Sequence, residues 1–150
     1  MLCLRFSIDG NSYGLEAAGI IEVIPKMPLR KTPGLPAYVP GCFKYRGHIV
    51  PVIDINILCG KKEAQDFFSS RIAVIRYSGE HLLGLLMENA TETIDIAPET
   101  LEDPGVKNGG DPFLGTISAK GNDMIQLIKV DALLHEHMKK AIFPETGGGK

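Results

Sequence analysis

Residues 41–55, Gly-Cys-Phe-Lys-Tyr-Arg-Gly-His-Ile-Val-Pro-Val-Ile-Asp-Ile, pack turn, charge and apolar signals into one block. Cys42 to Tyr45 reads as a strand, Arg46-Gly47 as a tight turn in which glycine supplies a positive φ, and His48 to Ile55 as a strand rich in β-branched residues. The block is therefore a predicted hairpin. Pro51 cannot donate a ladder hydrogen bond, so the second strand is expected at an edge, at a bulge, or crossing between two sheets. Arg46 is a fixed cation at the turn; it either bridges carbonyls or a carboxylate or is a solvated turn charge.

Outward from the hairpin the chain reads as mainly β. Leu2, Leu4, Phe6 and Ile8 alternate with Cys3, Arg5 and Ser7, the period-two pattern of a strand with one buried face. Asp9-Gly10-Asn11 turns the chain back into Tyr13 to Leu15, and Ile20 to Ile24 is a further strand stopped by Pro25, with Glu22 its lone charge. Pro28, Pro33, Pro36 and Pro40 make a stiff connection with one short helical turn at Ala37 to Val39. After Leu58, residues 60–70 read as an exposed connection and a subdomain boundary. Arg71 to Tyr77, Leu82 to Met87 and Thr91 to Ile96 are three more expected strands. Glu102 to Pro112 is a long structureless stretch, either mobile or functional. Leu114 to Ser118 and Met124 to Lys129 form a last hairpin around Lys120-Gly121-Asn122, and Asp131 is the expected N-cap of a terminal helix carrying Leu134, Met138 and Ala141 or Ile142. Lys139 and Lys140 suit its last turn.

One regularity exceeds the strand count. Tyr13-Gly14-Leu15 is echoed 70 residues on by Leu83-Gly84-Leu85, and the six-residue spacing Gly41 to Gly47 returns as Gly115 to Gly121. Two similar small β-units follow, each closed into a barrel that protects its edges.

Composition excludes several classes of function. The 150 residues are 44% hydrophobic and 23% charged, with 16 basic against 18 acidic side chains and no Trp, so nothing recruits nucleic acid by bulk charge. Such a chain is long enough to bury about 68–70% of its extended surface. Cys3, Cys42 and Cys59 are odd in number and far apart, which reads as reduced thiols in a cytoplasmic protein. No apolar run reaches signal-peptide or membrane-spanning length, so the chain is expected to be neither exported nor membrane-spanning.

No catalytic constellation is found. His135 and His137, two apart on the expected helix, point in different directions and read as surface histidines, so no metal site is expected. The Gly-Gly-Gly-Lys tail lacks the strand and hydroxyl of a phosphate loop, and no cofactor site is expected. Cys42 beside Arg46 reads as a small core residue rather than an activated thiolate. Phe43 and Tyr45 read as packing residues, and Asp54 as the cap of the turn that follows.

Pro40 to Asp54, with Tyr13-Gly-Leu15, Ile21-Glu-Val-Ile24, Thr32-Pro-Gly-Leu-Pro36 and Leu83-Gly-Leu-Leu86, resembles the CheW-like coupling proteins of bacterial chemotaxis arrays, from Leu4 to about Leu134. The resemblance implies two SH3-like five-stranded β-barrels with a C-terminal helix. Residues of about 1–58 and 124–142 would form the first subdomain and about 60–123 the second, with the Pro51 strand leading between them and 143–150 a disordered tail. It also implies a non-enzymatic, cytoplasmic adaptor, without cofactor or metal, joining the tip of a methyl-accepting chemoreceptor to the regulatory domain of a CheA-type histidine kinase at membrane-associated receptor arrays. Carried over by position, Ala17, Ile20, Glu22 and Gly41 would line a receptor groove between the barrels, and Arg46 would brace it. The kinase would dock mainly on the second subdomain, on residues that the resemblance does not name. Lys44-Tyr45 and Met87-Glu88 depart from the common family pattern, which fits a dedicated, non-flagellar surface-sensing pathway. Two other readings remain at this level: a ligand-binding or enzymatic barrel with Cys42, Arg46 and His48 converging on a pocket, and a chain that blocks array assembly by occupying one interface.

Overall fold

The computed structural model describes residues 1–104, 112–120 and 123–143. The turn at Gly121-Asn122, most of the 102–112 stretch and the tail after Phe143 lie outside the described residues. Ten strands run β1 (Leu2–Ile8), β2 (Asn11–Glu16), β3 (Ile20–Pro25), β4 (Gly41–Tyr45), β5 (His48–Asp54), β6 (Arg71–Tyr77), β7 (His81–Asp95), β8 (Leu101–Glu102), β9 (Leu114–Lys120) and β10 (Asp123–Ile128), with helices α1 (Ile55–Leu58) and α2 (Glu136–Ile142). They form two SH3-like five-stranded barrels. Barrel 1 is built from β1, β2, β9, β10 and the second half of β7, with the two-residue β8 at its margin. Barrel 2 is built from β3, β4, β5, β6 and the first half of β7.

This pairing displaces the boundary read from the sequence. Barrel 2 is the continuous segment 20–87, and barrel 1 is made of the segments on either side of it. The strand that crosses between barrels is not the Pro51 strand but β7, whose 15 residues merge two strands expected separately. Its first half pairs with β6, and its second half pairs with β1 from Leu2↔Asp95 to Ser7↔Glu88. A register shift between Arg5 and Ser7, with Asn89 opposite at φ 54°, lets one strand bend from one barrel into the next.

Pro51 sits in an otherwise regular strand for a simple reason. The backbone N–H and C=O of Cys42 both bond to Arg30, so Cys42↔Pro51 is a non-hydrogen-bonded pair, and the proline removes no bond from the β4–β5 ladder.

The repeat seen in the sequence reappears in the pairing. Gly14 lies opposite Leu127 in the parallel pair β2–β10, and Gly84 lies opposite Val52 in the parallel pair β5–β7. At both glycines a Cβ would press on neighbouring side chains, 3.1 Å from Leu127 Cδ2 at the first and 3.0 Å from Ile72 Cγ2 at the second. Likewise Ile94 pairs with Cys3 as Ile24 pairs with Ile72. The first repeat, β1 to β5, gives its opening hairpin to barrel 1 and its last three strands to barrel 2. The second repeat, β6 to β10 without β8, does the reverse.

Burial follows this interleaving. The largest core cluster draws Leu4, Phe6, Ile8, Leu15, Ile128 and Met138 from one side and Ile53, Ile75, Tyr77, Leu83, Leu85 and Met87 from the other, and so joins the barrels. A second cluster around Phe43, Val50, Val52, Ile72 and Val74 belongs to barrel 2, and a third around Cys3, Ile96 and Ile125 to barrel 1. Strand β1 is therefore buried on both faces at Cys3, whereas Leu2, expected inside, is 54% exposed.

The C-terminal helix begins later than expected. Asp131 lies in a 3-10 turn, Val130–Ala132, and α2 starts at Glu136 with His135 at its N-cap position. The His135 and His137 rings are stacked 6.1 Å apart rather than diverging. Lys139 and Lys140 occupy the last turn as expected.

Candidate protein-docking site

The site grows from the hairpin turn. Tyr45 pairs with His48, leaving a two-residue loop in which Arg46 (φ 47°) and Gly47 (φ 83°) are both left-handed, the geometry whose twist matches that of the flanking strands. That turn aims Arg46 and Tyr45 at β3. A guanidinium nitrogen of Arg46 lies 3.1 Å from Glu22 Oε1, and the Tyr45 hydroxyl donates to the same oxygen. The guanidinium carbon also stands 5.0 Å from the centroid of the Tyr45 ring. The hydrogen bond to Glu22, and secondarily burial, raises the Tyr45 phenol above its ordinary value, and the Arg46 charge opposes that rise.

Glu22 is 42% exposed and Arg46 70% exposed, so the ion pair adds little stability. Its effect is positional, holding a charged tip beside the partly exposed aliphatics Ile21 and Val23 of β3. Tyr45 packs in the barrel 2 core, as read from the sequence, and its hydroxyl also reaches Glu22, a bond that sequence reasoning did not foresee. The available signal was Glu22 itself, a single acid in an aliphatic strand, which calls for a partner.

The other candidates lie apart from this network. Ala17 is in the 3-10 turn Ala17–Gly19 that feeds β3, and Ile20 pairs with Ile75. Beside them Leu15, Glu16, Gly19, Ile75 and Arg76 line part of a hollow of about 580 Å³ that draws on both barrels. Gly41 starts β4, where a Cβ would lie 2.4 Å from the Arg30 carbonyl oxygen. It lines a different hollow, of about 470 Å³, with Cys42, Ile49, Pro51, Ile142 and Phe143.

The ligand-barrel arrangement does not form. Cys42 lines the hollow beside Gly41, while Arg46 and His48 are exposed at the hairpin tip and do not. Cys3, Cys42 and Cys59 are not joined in disulfides. Among the described residues no three His, Cys, Asp or Glu side chains gather as a metal site, and no helix is long and apolar enough to cross a membrane. Asp54 does cap α1: its carboxylate accepts from the Asn56, Ile57 and Ala64 amides at 3.0, 3.3 and 2.9 Å.

Comparison with known proteins places this geometry. The chain is 25% identical to a chemotaxis protein CheW of Helicobacter pylori, over 87% of this chain and 79% of that protein. It is 22% identical to one of Bacillus subtilis, over 93% and 90%, and 24% identical to protein FrzA of Myxococcus xanthus, over 91% and 87%. The crystal structure of the scaffolding protein TtCheW from Thermoanaerobacter tengcongensis superposes with a TM-score of 0.81 at 28% identity, covering 89% of this chain and 87% of that one. The profile of the CheW-like domain matches residues 2–138, and with the shared two-barrel architecture it makes this chain a member of the CheW-like family.

Proposed function

We propose that the chain is a non-enzymatic adaptor of a chemosensory array, coupling the cytoplasmic tips of chemoreceptors to a CheA-type histidine kinase. The observation that carries this reading is the match of one family across residues 2–138, in the same fold as a scaffolding protein. The local geometry supports it. A helix laid along a protein surface needs aliphatic contacts and a fixed polar anchor, and β3 with the Tyr45–Glu22–Arg46 network offers both. Ala17, Ile20, Glu22, Gly41 and Arg46 are the proposed receptor-contacting set. The kinase engages the 60–123 half of the chain, whose strands fall in both barrels. The adaptor works in the cytoplasm, at arrays of membrane-anchored receptors.

Co-sedimentation with a receptor signalling fragment and a kinase regulatory domain tests the reading. Wild type is expected to bind both, whereas Arg46→Glu, which sets a second acid beside Glu22, keeps the kinase and loses the receptor. Wild type binding neither partner would leave the family likeness as one of fold alone.

A further inference from the structure

The hollow that draws on both barrels is walled by irregular backbone. In the β9–β10 pair Gln126 lies opposite Ile117 and Ile128 opposite Leu114, so Gly115 and Thr116 together face the single residue Leu127. That is a β-bulge, a device that interrupts a ladder and re-aims side chains, often beside a site. The Gln126 amide pins it by donating to the Gly115 carbonyl at 3.0 Å, and Gly115 suits the close approach, because a Cβ there would lie 3.1 Å from the Leu127 carbonyl oxygen. On barrel 2, β3 carries an extra residue of its own, Ile21, between the pairs Ile20↔Ile75 and Glu22↔Val74. Gly115, Thr116 and Leu127 of the first bulge and Ile75 beside the second all line the hollow.

Its floor is apolar. Leu15, Ile75 and Ile128 are buried members of the core cluster that joins the barrels, and each also faces the hollow. Its rim is charged. Glu16, Arg76, Lys129 and Asp131 line it and are exposed, and among the described residues none of the four is held in an ion pair. Two acids and two bases leave the rim neutral as a whole, so it favours neither a simple anion nor a simple cation but a guest that carries one charge of each sign. The aliphatic floor calls for aliphatic groups between those charges. The volume of about 580 Å³ falls within the range of about 300–1,000 Å³ usual for small-molecule pockets.

We propose that this hollow binds a short aliphatic peptide with free ends, its side chains against Leu15, Ile75 and Ile128, its carboxylate at Arg76 and Lys129, and its ammonium at Glu16 and Asp131. A guanidinium meets a carboxylate with two parallel hydrogen bonds, and an ammonium has donors enough for both acids. The rim charges are solvated, so they select the guest and are screened by salt, while the floor supplies most of the affinity. The site does not rest on the adaptor reading, because it needs neither receptor nor kinase.

Titration of the full chain with the dipeptide leucyl-leucine, followed by amide chemical shifts, tests it. Saturation is expected below about 10 mM, the weak end of specific binding. Blocking the amino end by acetylation, or the carboxyl end as the amide, is expected to weaken binding about tenfold each. The paired change Arg76→Ala and Lys129→Ala is expected to weaken the free dipeptide about tenfold and to leave the carboxyl-blocked one unchanged, which a merely structural effect would not do. Gly19→Leu is expected to abolish binding by filling the hollow: a Cβ at Gly19 meets nothing within 4 Å, so the variant folds, with an unfolding midpoint near that of wild type. A wild type that does not saturate overturns the inference, and if it still binds receptor and kinase the adaptor reading stands without it. Equal binding of the dipeptide blocked at both ends overturns the recognition by charge, and full binding by Gly19→Leu overturns the location.

Discussion

Glu22 accepts two donors on one oxygen, and that single fact makes the hairpin tip measurable. In a spectrophotometric titration, with Tyr45→Phe used to isolate its signal, Glu22→Gln is expected to lower the Tyr45 phenol toward its ordinary value. Arg46→Ala is expected to move it the other way, since Arg46 holds the phenolate form down in energy. Gly41 gives a stability test at the same scale. Gly41→Ala places a methyl 2.4 Å from the Arg30 carbonyl oxygen, and denaturant unfolding is expected to register a loss of about 2–4 kcal/mol. Residues whose role is local were legible in the sequence: Arg46-Gly47 as a turn and Asp54 as a cap each follow from their own neighbours. Cys3 and Leu2 were not. Alternation identifies a face of β1 but not that a second core cluster covers the opposite face at Cys3, nor that the strand's first residue projects past the core.

Strand β7 is where element-level reading failed, and the cause is Asn89. A polar Asn-Ala-Thr step after Met87-Glu88 looks like a break, yet it is a bend in continuous strand, with Asn89 left-handed and its Oδ1 bonded to the Ser69 hydroxyl at 2.8 Å. Asparagine and glycine accept that backbone and β-branched residues resist it. Asn89→Gly is therefore expected to stay within about 1 kcal/mol of wild type, and Asn89→Val to lose about 1–3 kcal/mol in thermal or denaturant unfolding. The cap of α1 sets a parallel expectation. Asp54→Ala strips three amides of their acceptor, two at the helix start and the third on the buried Ala64, and is expected to cost about 2–4 kcal/mol. The late start of α2 was hidden for a similar reason, since Asp131 carries a good capping side chain but heads a 3-10 turn, and the chain must first bury Leu133 and Leu134.

At the scale of the whole molecule, the repeat was legible and the exchange of strands was not. Spacings of 69–74 residues reveal two copies of a pattern, but a repeat in sequence does not say which copy a strand pairs with. Here β1–β7, β3–β6, β2–β10 and β5–β7 all join one repeat to the other. A chain cut between residues 66 and 67 is accordingly expected to give two fragments that are unfolded apart and recover the β-sheet circular dichroism spectrum when mixed, and the intact protein to unfold in one cooperative transition. Two separate transitions, or a fragment that folds alone, would contradict this. The undivided backbone of β7 has a further consequence. One barrel cannot swing against the other without bending this strand and opening the core cluster that both share, so the molecule behaves as a set-square rather than a hinge. Any two proteins held on its two arms meet at an angle fixed when this chain folds, before either has arrived.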